Sequence, residues 1–139
     1  MDKDAQYKFN ELTNLVDLLD FYSSKSEDDL LHEKNLYASA EYTLYAAFDS
    51  AIGLTEGIVK MELGKEEKDH KVYIIRLGEI GIIDEDFAKI MSEKTEFWDR
   101  MMYKRSTVEH EETINFLKND LNDFKKLVSA LKEYLTHIS

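Results

Sequence analysis

Apolar residues recur at three- and four-residue spacing along almost the whole chain, which is the pattern of amphipathic helices. The first apolar stripe consists of Phe9, Leu12, Val16 and Leu19. It ends near residues 23–26, where Ser26 followed by Asp29 has the form of a helix N-cap with an acidic residue three positions on. One helix is therefore predicted to end before Ser26 and another to begin there.

The second segment is predicted to be a single long helix from about Glu27 to Glu62. Its stripe consists of Leu36, Ala40, Leu44, Ala47, Ala51, Leu54, Ile58 and Met61. Further apolar residues widen this stripe, which is typical of a central helix packed on several sides. Tyr37, Tyr42 and Tyr45 could line a pocket there, or pack in the core with their hydroxyls in water. Gly53 and Gly57 suggest a bend or a close contact.

The remaining segments predict one short helix and two long ones. Gly64 should end the second helix, and a short helix should follow Asp69 and end at Gly81. Asp84 should cap the next helix, and the last should open at Ser106-Thr107 or at Glu111–Thr113. The predicted buried side of the helix after Asp84 is Phe87, Ile90, Met91, Lys94, Phe97, Trp98, Met101 and Met102. The sum is an all-α antiparallel bundle of four long helices and one short one, in a single domain over residues 1–139.

Composition narrows the functional classes. The chain has 139 residues, no proline and no cysteine, so disulfides, thiolate metal sites and cysteine nucleophiles are excluded. Twenty-nine acidic residues against 18 basic ones give a net charge of −11, which disfavours nucleic acid without a local basic patch. No apolar run approaches the roughly 18 residues of a membrane span, and the charged N-terminus lacks a secretory apolar stretch. We therefore expect a cytoplasmic protein with no membrane association.

Metal and cofactor motifs are nearly absent from the sequence. Glu67 and His70 have the Glu-x-x-His spacing of a carboxylate-bridged metal site, but such a site needs a second pair. No second pair occurs, and neither does a glycine-rich phosphate loop. We therefore expect no metal and no cofactor.

The stretch FWDRMMYKR, residues 97–105, holds the only tryptophan together with methionines and basic residues. Arg100, Lys104 and Arg105 form a small basic cluster on an acidic chain. The cluster could hold an anion or an acidic partner, or it could be solvated charge with acidic neighbours.

The order of features across roughly residues 36–131 resembles the HEPN superfamily, in its HepT-like branch. The resemblance lies in the Ala-rich YASAEYTLYAAFDSAIGLTEGIV, then RLGEIGIIDEDFAKIM, then FWDRMMYKR, then INFLKNDLNDFKKLV. It implies a small all-α protein that forms a homodimer. Many such proteins are ribonuclease toxins paired with a minimal nucleotidyltransferase antitoxin.

The catalytic motif of active members, Phe-Arg-Asn-x-x-x-His-x-Tyr, is not matched here. Its Arg would stabilise charge on a phosphate, and its His would move the proton of a ribose hydroxyl. Ungapped counting from Gly81 and from INFLKNDL places that Arg at Trp98, the Asn at Asp99 and the His at Tyr103. Tyrosine titrates near pH 10 and is a poor proton shuttle at neutral pH. The resemblance therefore implies a degenerate site with no catalytic residue, in a dimer that acts as a binding or regulatory module, with a nucleotidyltransferase as a candidate partner.

A shifted motif is the alternative. Arg105 and His110 have Arg-x4-His spacing, although this register needs an insertion before the motif and a deletion after it. Arg100 and His110 form the same pair of residue types over a longer spacing. Either pair would make the chain a metal-independent ribonuclease toxin, the one case in which RNA is an expected partner. A purely structural helical dimer is the third hypothesis.

Overall fold

A computed structural model describes residues 3–137, and every regular element in them is helical. The elements are α1 (Lys3–Ser23), α2 (Glu27–His32), α3 (Lys34–Leu63), α4 (His70–Glu79), α5 (Glu85–Tyr103), a 3₁₀ turn (Arg105–Thr107), α6 (His110–Asn115), a π-helical turn (Phe116–Asp120) and α7 (Leu121–His137). Helical backbone at Asn115, Phe116 and Leu121 joins α6, the π turn and α7 into one continuous helix. The predicted all-α class is confirmed.

The central position of α3 follows from its wide apolar surface. α3 contacts α1, α2, α4, α5 and α7, while α4 packs mainly on α5. Phe48 of α3 is completely buried at the middle of an aromatic cluster. The rings around it are Phe97, Trp98, Phe116 and Phe124. None of the described helices has both the length and the hydrophobicity needed to cross a bilayer.

The predicted single helix from Glu27 to Glu62 is wrong at its start. Glu33 has extended backbone (φ −90°, ψ 100°), and it separates α2 from α3. The Glu33 N–H still donates to Asp29 O at 2.8 Å, and its carbonyl accepts from Tyr37 N at 3.0 Å. Because the end of α2 and the start of α3 keep these two hydrogen bonds, the break loses few backbone hydrogen bonds. It lets α2 contact α6 as well as α3 and bury Leu30 completely.

The last helix begins at neither predicted position. The chain first forms the 3₁₀ turn, in which Thr107 N donates to Lys104 O at 2.9 Å. The helix then starts at His110, and the Glu112 carboxylate accepts from the Glu109 N–H at 3.1 Å, as in a capping box. The π turn was not predicted, because a single wide turn changes the apolar spacing by only one residue.

Two further expectations, the burial of Ile90 and a close contact at Gly53 or Gly57, are corrected by the packing of the helices. Ile90 lies outside the core and is 49% exposed. A Cβ added at Gly53 or Gly57 would meet nothing within 4 Å, so neither glycine marks a close contact. The close approach is instead at Gly78, where a Cβ would lie 2.8 Å from the Cβ of Ala88. Gly64 ends α3 with φ 62°, as predicted.

Candidate functional site at the end of α5

The side chain of Trp98 lies in the core of the bundle. It is completely buried, stacks on Phe48 with ring centroids 5.1 Å apart at 8°, and meets Phe124 edge-on at 5.5 Å. Its indole N–H is buried without a hydrogen-bond partner among the described residues. Position 98 is thus an apolar packing position.

Asp99 takes part in an ion-pair group that joins three helices. Its carboxylate lies 2.7 Å from His70 Nδ1, and His70 Nε2 lies 3.3 Å from the Glu56 carboxylate. These contacts connect α5, α4 and α3. Glu67, the other half of the Glu-x-x-His spacing, turns away and pairs with Arg76 at 3.1 Å. Within residues 3–137 no group of three His, Cys, Asp or Glu side chains is arranged to hold a metal ion.

Tyr103 is the last residue of α5 and is 67% exposed. Its ring centroid lies 6.1 Å from that of His70. Partial burial of the hydroxyl raises the pKa of Tyr103, and the carboxylates of Asp99 and Asp49 raise it further. At neutral pH this phenol stays protonated, so it cannot act as the general base that a histidine would supply.

The three basic residues of the stretch have separate environments. Arg100 pairs with Glu96 at 2.7 Å and also contacts the Glu112 carboxylate and the Thr107 carbonyl. These carboxylates, Glu112 first and then Glu96, raise the pKa of Arg100 above its ordinary value. Since two acidic partners already neutralise its guanidinium, Arg100 has little charge left for an anion.

Lys104 and Arg105 are the remaining members of the basic cluster. Lys104 is exposed, and in the described part of the chain its ammonium has no recorded ion pair. Arg105 lies 5.1 Å above the ring of Tyr45 and 3.8 Å from the carboxylate of Glu41. Of the three cations, Lys104 is therefore the one not engaged by a carboxylate.

The alternative pair, Arg105 and His110, lies along one side of α3. His110 is exposed and stacks on Tyr37 with ring centroids 3.9 Å apart, while Arg105 contacts Glu41 and Tyr45. These α3 residues are four positions apart, so they share one helix face. The surroundings are acidic. Burial raises the pKa of Tyr37 to about 12, and the neighbouring carboxylates of Glu41 and Glu111 add to the shift.

An open cleft of about 360 Å³ lies beside this region, between α5 and the start of the last helix. Four carboxylate-bearing residues line it: Glu96, Glu111, Glu112 and Asp120. Arg100 is the only cation in its lining and is already paired. The cleft would therefore repel a phosphate backbone. Sequence analysis missed this acidic lining, because its members come from two helices whose facing sides were not predictable.

The architecture defines the class of protein: an all-α, HEPN-like helical bundle. Residues 12–131 match the family described as ribonuclease HepT-like, so the chain belongs to the HepT-like family. No curated protein sequence matches it at a significant level.

Solved structures give the same fold. A tri-AMPylated Shewanella oneidensis HEPN toxin in complex with MNT antitoxin is 10% identical with a TM-score of 0.79, over 96% of this chain and 99% of that one. A tyrosine-to-alanine mutant of the toxin–antitoxin MntA-HpeT is 9% identical with a TM-score of 0.78, over 93% and 98%. A toxin–antitoxin with AMP-PNP is 10% identical with a TM-score of 0.74, over 94% and 99%. At these identities the likeness concerns the fold.

Proposed function

We propose that this HepT-like chain is a non-catalytic binding module that acts through a partner protein. The observation that carries the proposal is the position of Trp98, which is fully buried in the aromatic core where active relatives would place a phosphate-binding arginine. A residue in that place cannot reach a substrate.

The other motif positions support the same conclusion. Tyr103 stands at the histidine position, and its phenol remains protonated at neutral pH. Asp99 stands at the polar position, and its carboxylate is held by His70. A ribose phosphate brought to these side chains would meet the carboxylate of Asp99 and a protonated phenol, and the nearby His70 is bound between two carboxylates.

A minimal nucleotidyltransferase is the partner that the family resemblance favours. All three similar structures described above are named as toxin–antitoxin structures, one of them as a HEPN toxin with MNT antitoxin and another as containing AMP-PNP. Co-expression of this chain with a nucleotidyltransferase encoded beside it should yield a complex that co-purifies. Because one similar toxin is tri-AMPylated, mass spectrometry of the complex should be used to look for added AMP.

Growth after induction of the chain alone tests the absence of toxic activity. We expect normal growth for the wild type and for His110→Ala. Wild-type toxicity that disappears in His110→Ala would contradict the proposal and favour the ribonuclease alternative. The exposure of His110 and its place beside Arg105 on one face of α3 are what keep that alternative worth testing.

We also propose a homodimer, and the outward face of α1 supports it. Tyr7, Leu18 and Phe21 are 69%, 46% and 51% exposed. At about 100° per residue they lie on one side of the helix, where Leu18 and Phe21 are neighbours and Glu11 and Asn14 separate them from Tyr7. Leu18 and Phe21 therefore form the apolar patch that supports an interface. Leu18→Glu should convert a dimer to a monomer in analytical ultracentrifugation. The control Ile90→Glu changes a similarly exposed residue elsewhere, on α5, and should leave the dimer intact. A wild-type monomer at micromolar concentration would contradict the dimer.

A further inference from the structure

The short helix α2 is anchored to the bundle by a single buried side chain. Leu30 is completely buried in the hydrophobic core, while every other residue of α2 is exposed. Through Leu30 the helix packs against α3 and α6. Isolated helices shorter than about 12 residues are marginal in water, so this six-residue helix depends on its one anchor.

The polar contacts of α2 do not connect it to the rest of the bundle. The Ser26 hydroxyl accepts a hydrogen bond from Asp29 N at 3.0 Å, and His32 pairs with Asp28 one turn before it. In the described part of the chain, the side-chain hydrogen bonds and ion pairs of α2 all lie between Ser26 and Glu33. These contacts stabilise the helix itself, but they do not resist its detachment.

The chain is anchored on either side of α2. Before the helix, the Lys118 ammonium donates hydrogen bonds to the carbonyl of Ser23, at 2.8 Å, and to that of Lys25. After the helix, the Glu33 carbonyl accepts from Tyr37 N at 3.0 Å, in the first turn of α3. Extended backbone at both ends of α2 separates it from these anchors. The intervening segment can therefore detach while α1 and α3 stay in place.

We infer that residues 26–33 form a latch that opens as one unit, without unfolding of the rest of the bundle. Opening exposes Leu30 to water and lets the short helix unravel. It also uncovers the surface of α3 and α6 that α2 contacts. These two helices meet where Tyr37 shares a hydrogen bond with Thr113 at 3.0 Å and stacks on His110. The motion belongs to the free chain and does not require the proposed partner.

Native-state hydrogen exchange of the full chain, followed by NMR at low concentrations of urea, tests the latch. The amides of Leu30 and Glu33 bond within the latch and should be protected only about 10- to 100-fold, as expected for one buried leucine. The amides of Leu44 and Phe48, in the middle of α3, should exchange only by global unfolding and be protected at least about 10³-fold. Equal protection with the same urea dependence in both helices would overturn the inference.

Two leucine variants separate local opening from global unfolding. Leu30→Ala removes the anchor and should abolish most of the protection of the latch amides, with a much smaller change in α3. Leu131→Ala removes an equally buried leucine of α7 and should accelerate exchange in α3 by about 30-fold or more, while the latch amides stay unchanged. If each variant changes α2 and α3 by equal factors, α2 unfolds only with the whole bundle and the latch is refuted.

Ser26→Ala is a milder variant that leaves the core intact. Loss of the helix cap should accelerate exchange of the latch amides about fivefold, with no change in α3. The control Ser129→Ala removes an exposed hydroxyl on α7 and should match the wild type in both helices. Unchanged exchange of the latch amides in Ser26→Ala, or equal acceleration in α2 and α3, would contradict independent opening of the latch.

Discussion

Replacing Trp98 by arginine would introduce the residue that the proposed register assigns to this position in active relatives, and we expect it to unfold the protein. Trp98 is completely buried, stacked on Phe48 at 5.1 Å and edge-on to Phe124 at 5.5 Å. Loss of a buried tryptophan from such packing costs about 3–5 kcal/mol. An unpaired guanidinium in the same place adds several kcal/mol more. The sum reaches the total stability of about 5–15 kcal/mol that a typical domain has.

Trp98→Phe is the matched control, since it keeps an aromatic ring in the stack. The smaller ring leaves a cavity, which we expect to cost about 1–2 kcal/mol. Removal of an indole N–H that has no hydrogen-bond partner offsets part of this cost, because an unsatisfied buried donor is unfavourable by about 1–3 kcal/mol. The net loss for Trp98→Phe should therefore stay below about 2 kcal/mol.

Urea unfolding followed by far-ultraviolet circular dichroism measures both variants. Tryptophan fluorescence is unsuitable, because Trp98 is the only tryptophan in the chain. A Trp98→Arg protein with a midpoint close to that of the wild type would refute the reasoning. Such a result would mean that the side chain at position 98 can reach solvent. RNA cleavage by the Trp98→Arg variant would further place that side chain in an active-site cleft.

Two further predictions concern helix contacts. Gly78→Ala should destabilise the protein by about 1–3 kcal/mol in urea unfolding, because the added Cβ would lie 2.8 Å from that of Ala88. The control Gly53→Ala, within α3 and in open space, should instead stabilise by about 0.5–1 kcal/mol, and destabilisation there would contradict the packing. Glu112→Gln weakens the contact with Arg100 and should cost about 1 kcal/mol at pH 7, after allowance for solvent screening. The hydrogen bond from Arg100 lowers the pKa of Glu112 below its ordinary 4.5, so its stabilisation is present above that value and is lost as the pH falls through the lowered pKa. The difference between wild type and Glu112→Gln should therefore shrink in acid, and a constant difference from pH 7 to pH 3 would show that the contact is not ionic.

The fold was largely predictable because the helices indicated by apolar spacing begin and end at residues that favour helix ends. Ser26 accepts a hydrogen bond from Asp29 N at 3.0 Å, as its position before an acidic run predicted. Gly64 ends α3 in the left-handed conformation. The break at Glu33 was missed because the residues around it favour helix. The break accompanies the complete burial of Leu30 on α2, and such tertiary packing is not contained in local preference.

The environment of the candidate site was not predictable from the sequence. Counting along the sequence placed Trp98 at the arginine position, yet only the structure shows that its ring lies in the core. Sequence analysis left open whether Arg100 holds an anion or has acidic neighbours. Glu96 lies one turn before it on the same helix, but its second partner, Glu112, lies on another helix. Contacts between residues far apart in sequence decide which charges are free, and spacing alone does not give those contacts.

RNA cleavage tests the central claim most directly. Purified wild-type protein and the His110→Ala variant should be incubated with a mixed RNA pool in the presence of a chelator. The chelator keeps contaminating metal-dependent nucleases inactive. The proposed non-catalytic site, with Trp98 and Tyr103 at the motif positions, predicts that both proteins leave the RNA intact. Cleavage by the wild type that is abolished in His110→Ala would contradict the account and make this chain a ribonuclease with a shifted motif.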